Sequence, residues 1–119
     1  MNTKPITPFL HGVIDYVFSA VQLIGPFSLG LNANTIKTYQ LLGGSFLATN
    51  ALTDTPVGIQ PALSFQSHQK VDAAFLTGAA ALTLVDYIRK DKSALTFHLA
   101  FLSLTLANYL LTDYKAGSK

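Results

Sequence analysis

The chain has 119 residues, half of them hydrophobic and only 12% charged, with a net charge of +2 and no cysteine. A soluble domain carries roughly 25% charged residues, so the composition argues against a water-exposed globule. The lack of cysteine excludes a disulfide framework and a thiolate metal site, and the scattered lysines and arginines form no footprint for nucleic acid.

Thr7-Pro8 reads as a helix start, with Thr as N-cap and Pro at the first helical position. The run that follows, FLHGVIDYVFSAVQLI, stops at Gly25-Pro26, and His11 and Asp15 interrupt it in a way that a cleavable signal peptide does not show. Thr35, or Asn34 before it, caps a second run, IKTYQLLGGSFLATNAL, which stops before Pro56 and Gly58. Ser64 caps a third, FQSHQKVDAAFLTGAAALTLVDYI, closed by the charges at Arg89, Lys90, Asp91 and Lys92. Ser93 caps a fourth, ALTFHLAFLSLTLANYLLTD. The expected class is all-α.

Crossing a bilayer takes about 20 mostly apolar residues. The fourth run is uncharged from Ala94 to Thr112, and the charges Asp15, Lys37 and Asp72 of the others lie near one end of each run. Small residues such as Gly43-Gly44, and Ala74 with Gly78, allow close helix approach in lipid. No run has the broad charged face of a soluble bundle helix. The expectation is a four-transmembrane-helix bundle, multi-pass, with the lipid bilayer as its partner and a larger membrane complex or a homo-oligomer as its setting.

The chain also resembles itself. A shift of 57 places Thr7 on Ser64, His11 on His68, Asp15 on Asp72 and Phe18 on Phe75. A shift of 59 places Leu52-Thr53-Asp54 on Leu111-Thr112-Asp113. The ordered matches indicate two helical-hairpin repeats, about 7–55 and 64–114, within one domain. Two hairpins in tandem run parallel, so the starts of helices 1 and 3 and the ends of helices 2 and 4 share one face.

That face collects His11, Asp15, His68, Asp72, Asp54 and Asp113. His11 with Asp15, and His68 with Asp72, are spaced i,i+4 and lie on one side of their helices. A polar line on helix 4 runs His98, Thr105, Asn108, Thr112, and His98 aligns with Tyr39 near the opposite face. Polar groups at membrane depth face the bundle interior. Three uses of the cluster compete. It locks the hairpins together through His–Asp hydrogen bonds, with Asp54 and Asp113 among the acceptors. It holds a metal ion on His11, His68, Asp15 and Asp72, a nitrogen–oxygen set suited to zinc, manganese or iron. Or it serves redox or transport chemistry, binding haem between the two histidines, a quinone, or protons. No serine sits in a nucleophile elbow, and the leading expectation is a non-enzymatic accessory or binding subunit.

After the first helix the chain reads QLIGPFSLGLN, which resembles the SPW-repeat proteins, small bacterial membrane proteins with two helices per repeat and Ser-Pro-Trp after the first. Gly25-Pro26-Phe27 stands in that place, and the chain has no Trp. HGVIDY and the mid-chain LTD with Pro and Gly are also similar to uncharacterised bacterial four-helix membrane proteins. The resemblance implies a bacterial cytoplasmic membrane location and duplication, and no activity.

Overall fold

The computed structural model describes residues 4–117. Its helices are α1 (Pro8–Ser28), α2 (Ala33–Ala51), α3 (Phe65–Leu82), a one-turn α4 (Asp86–Arg89) and α5 (Lys92–Leu111), with a 3₁₀ turn at Tyr114–Gly117. Among the described residues there is no strand, only two isolated parallel bridges, Ile6 with Thr112 and Thr53 with Leu63.

Local chemistry accounts for the boundaries. Thr7 Oγ1 accepts the Leu10 amide at 3.2 Å, and Ser64 Oγ accepts the Ser67 amide at 3.0 Å, as N-caps do. α1 does not stop at Gly25-Pro26 but runs on to Ser28. Proline removes one amide, and so close to the helix end few intrahelical bonds remain to be lost. The stop comes at Gly30, whose φ of 66° suits glycine, with Leu31 N donating to Pro26 O at 3.0 Å and Gly30 N to Phe27 O at 3.1 Å.

α2 is capped by Asn32 rather than Asn34 or Thr35: Asn32 Oδ1 accepts the Thr35 amide at 2.8 Å. The Asn32 amide also donates to Tyr87 O at 2.7 Å and Asp91 Oδ2 at 2.9 Å, which ties the α1–α2 turn to the start of α5. Asp91, not Ser93, caps α5, with Oδ1 accepting from Ser93 N at 3.1 Å and Ala94 N at 3.3 Å. A carboxylate is favoured over a hydroxyl at the positive end of a helix. The third run is broken after Leu82. His98 on α5 takes the Ala79 carbonyl at 2.9 Å, and the amide of Thr83 turns instead to Ala80 O at 3.2 Å, tightening the helix end.

α1 packs on α2 and α3 on α5, and the two pairs join through α1 with α5 and α2 with α4. Gly43 allows the α1–α2 approach, because a Cβ there would lie 2.9 Å from both Gln22 Cβ and Leu23 Cγ. Gly44 faces open space. Gly43→Ala should therefore destabilise the protein by about 1–3 kcal/mol through overpacking. Gly44→Ala should be neutral or stabilising, since alanine is the better helix former. Paired thermal melts check the opposite signs.

The polarity of the interior is inverted. Among the described residues the buried set holds thirteen polar or charged side chains against eight hydrophobic ones. The buried stripe of α1 is His11, Gly12, Asp15, Ser19, Gln22 and Pro26, while Phe9, Val17, Ile24 and Phe27 are exposed. On α5, Leu104, Leu106, Leu110 and Leu111 face outward. By length and composition α1 and α5 are able to cross a membrane, and the other helices do not meet the same measure. The four spans expected from the sequence are two on this criterion. Asn34, Lys37, Gln40 and Asn50 on α2, and Gln66, His68, Gln69, Lys70 and Asp72 on α3, lower their mean hydropathy.

Candidate metal centre

α1 carries His11 and Asp15, and α3 carries His68 and Asp72, each pair one helical turn apart. Where the hairpins meet, all four are buried, with exposures of 1%, 3%, 1% and 9% in chain order. Asp15 Oδ2 lies 3.1 Å from His11 Nε2 and 2.9 Å from His68 Nε2. Asp72 straddles the pair, with Oδ2 at 3.1 Å from His11 Nε2 and Oδ1 at 3.3 Å from His68 Nε2. The two Nε2 atoms are 3.2 Å apart.

The other ring nitrogens fix the chemistry. His11 Nδ1 lies 2.8 Å from Thr112 Oγ1, and His68 Nδ1 lies 2.7 Å from Thr53 Oγ1. Each hydroxyl also donates its single hydrogen to the carbonyl four residues back, Thr112 to Asn108 O at 2.5 Å and Thr53 to Thr49 O at 2.6 Å. With that hydrogen committed, each threonine oxygen can only accept, so both Nδ1 atoms carry the proton and donate it. Both Nε2 atoms then point at each other and at two carboxylates. Four electron-rich atoms at this spacing require positive charge between them, either protons or a metal ion.

The arrangement fits a metal. One ligand atom from each residue can be chosen so that all lie within 4.8 Å of one another. A tetrahedral ion with bonds of about 2.0–2.1 Å sets its ligands about 3.3–3.4 Å apart, close to the 2.9–3.3 Å found between nitrogen and carboxylate here. Metal-bound histidines donate their second ring N–H to an oxygen, which fixes the tautomer and the ring direction; the threonines already do this. Tyr114 completes the wall by donating to Asp72 Oδ2 at 2.7 Å. Burial, with the Asp72 carboxylate beside it, pushes the Tyr114 phenol above its ordinary range, so it remains a donor. Asn108 Nδ2 reaches Asp15 Oδ1 at 3.4 Å.

Haem does not fit. Nitrogens on opposite faces of an iron stand about two bonds of roughly 2.0 Å apart with the macrocycle between. Here the two Nε2 atoms are 3.2 Å apart, with carboxylate oxygens within 2.9–3.3 Å of both, which leaves no room for a macrocycle.

Asp54 and Asp113 are not in the cluster: Asp54 is exposed and Asp113 half-buried. Their amides donate to Leu63 O and Ile6 O, each at 2.8 Å. The Leu-Thr-Asp segments contribute their threonines instead. The repeated motif was a usable signal, but a carboxylate is the more conspicuous partner for a histidine. Tyr114 closes the second repeat, and at the offset of 59 it falls on Thr55, so self-comparison did not mark it.

His98 and Tyr39 form a separate pair. Tyr39 Oη lies 2.6 Å from His98 Nδ1, and His98 Nε2 lies 2.9 Å from Ala79 O and 3.0 Å from Thr83 Oγ1. The Ala79 carbonyl can only accept, so Nε2 carries the hydrogen and Nδ1 accepts from the tyrosine. Every polar atom of this imidazole is satisfied, as in a structural pin.

The bonds around the cluster occur in equivalent pairs. Thr53–His68 corresponds to Thr112–His11, and the Thr53–Leu63 bridge to the Thr112–Ile6 bridge, at the same offsets of 59 and 57 that align the sequence. Thr53→Val and Thr112→Val should weaken metal binding by comparable factors, about 10–100-fold each, as loss of an outer-shell partner does. Competition titration against a chelator measures both. Comparison of the chain with known protein families, curated proteins and solved structures finds no match.

Proposed function

We propose that this chain is a small integral membrane protein, built from two pseudo-symmetric helical hairpins, that holds one divalent transition-metal ion between them on His11, His68, Asp15 and Asp72. The observation that carries the reading is the convergence of two buried Nε2 atoms and two carboxylates, with both Nδ1 atoms fixed on threonine. An N₂O₂ set of this kind suits zinc, iron or manganese. The protein acts as a metal-holding subunit of the membrane, and no step of turnover is assigned to it.

Three features support the setting. The inverted polarity matches a chain whose solvent is hydrocarbon, where polar groups turn inward. Helices α2 and α3, of 19 and 18 residues, reach about 27–29 Å at 1.5 Å per residue, close to the bilayer core of about 30 Å. The paired hydrogen bonds favour duplication of one hairpin, which agrees with the two-helix unit of SPW-repeat proteins.

The test is metal analysis of protein purified from membranes in detergent without added metal or chelator. One zinc, iron or manganese per chain is expected, and His68→Ala should lose it. Metal-free protein that also fails to take up added zinc, iron or manganese would overturn the reading. The protein should stay with the membrane fraction through an alkaline wash, and release into the supernatant would refute the membrane assignment.

A further inference from the structure

Asn108 is 6% exposed, and among the described residues its Oδ1 has no hydrogen-bond partner, although its Nδ2 is used by Asp15. An orphaned buried acceptor is costly and calls for a donor. Asn108 lines a void of about 10 Å³ whose wall includes Asp15, Asp72 and Thr105. That is the space a single water needs, roughly 10–15 Å³. The donor such a void would bring to Asn108 is a hydroxylic molecule lying against the same two carboxylates.

A second space continues from it. A cleft of about 200 Å³ is lined by Ser45, Thr49, Val71 and Ala74, on α2 and α3, and reaches His68. The void and the cleft share Asp15, Phe46, Asp72 and Phe75 as walls. The cleft is mostly apolar, with Val71 and Ala74 exposed at its rim.

We infer that the metal ion keeps a fifth, exchangeable coordination position beside Asn108, reached through the α2–α3 cleft and taken by a small neutral donor: water at rest, and a diatomic such as nitric oxide in its place. The inference rests on the metal reading above. The charge count selects neutral ligands. A divalent ion with two carboxylates and two neutral imidazoles has no net charge, so an entering anion would leave a buried charge unpaired. Four protein ligands alone make a closed structural site, whereas an open position is the mark of a site that handles small molecules. Asn108 Oδ1 accepts the hydrogen of the resting water and so positions it. When a neutral donor replaces the water, one metal–oxygen bond breaks, one metal–ligand bond forms, and the water leaves unchanged.

The experiment uses the full-length protein in detergent, loaded with Co(II) for visible spectroscopy and with Fe(II) for nitric oxide binding. Wild type should show the weak visible bands of five-coordinate cobalt. Asn108→Leu should keep one cobalt per chain but shift to the more intense bands of a four-coordinate ion. Nitric oxide should bind the ferrous protein and give its half-integer-spin EPR signal, while azide should not compete. Ala74→Phe, which fills the cleft away from the metal ligands, should slow nitric oxide binding severalfold and leave the cobalt spectrum unchanged; this keeps the test open if Asn108→Leu fails to fold. A loaded protein that is four-coordinate and inert to nitric oxide would overturn the open position and leave the metal reading standing. A protein that takes up neither cobalt nor iron would overturn both.

Discussion

Asp15→Ala will empty the proposed metal centre and destabilise the bundle by about 3–5 kcal/mol, the cost of stripping one partner from a buried charge network. Asp15 is 3% exposed, and its Oδ2 faces both Nε2 atoms at 3.1 and 2.9 Å. Its removal leaves His11, His68 and Asp72 around a hole with too little negative charge to hold an ion, and it takes the acceptor of the Asn108 amide away as well. Asp72 is more accessible, at 9% exposure against 3%, but Asp72→Ala strips the buried Tyr114 hydroxyl of its acceptor, so it should cost about as much as Asp15→Ala. Asp15→Asn preserves shape and one oxygen but not the charge. It should lose the metal while melting between wild type and Asp15→Ala. Thermal melts and metal content of the three variants provide the comparison. Equal melting of wild type and Asp15→Ala would show that the cluster contributes nothing to cohesion.

If the cluster holds a metal as proposed, acid will release it. Binding requires two neutral imidazole Nε2 atoms and two carboxylates, so every proton added to the cluster competes with the ion. The sign follows: the stability contributed by metal is present at neutral pH and is lost as pH falls. A chelator at neutral pH should produce the same loss, and added metal should reverse it. In protein whose cluster is bridged by protons alone the sign is reversed, and stability falls as alkali removes the bridging protons. Melting followed from pH 5 to pH 8, with and without chelator, separates the two. A profile that rises with pH only in the absence of chelator identifies the metal form.

Much of this was legible in the chain. The Thr7 and Ser64 caps, the i,i+4 spacing of His11–Asp15 and His68–Asp72, and the 57-residue offset between them needed only local rules and self-comparison. The structure places these four side chains together. What escaped notice depends on contacts between distant segments. The break after Leu82 coincides with the bond from His98, nineteen residues beyond the carbonyl it takes. Asn32 and Asp91 are bonded to each other across the molecule, which favours them as caps over equally plausible neighbours. The Leu-Thr-Asp motif was visible twice, but that its threonine and not its aspartate meets the histidine depends on the partner helix. Pro26 suggested a stop, and its position so near the helix end removed the reason for one.

Each hairpin supplies one histidine and one aspartate to the cluster, so neither owns a complete ligand set and an ion bound there would work as a clasp between them. Within each hairpin the helices are held by their own packing and caps. Removing the clasp should therefore leave far-UV circular dichroism almost unchanged while the hairpins drift apart. Spin labels on the outward faces of α2 and α3, at Leu41 and Thr77, should report a broadened distance distribution under chelation. If occupancy of the proposed centre sets the spacing between the halves, the supply of the metal becomes a quantity that this chain translates into shape.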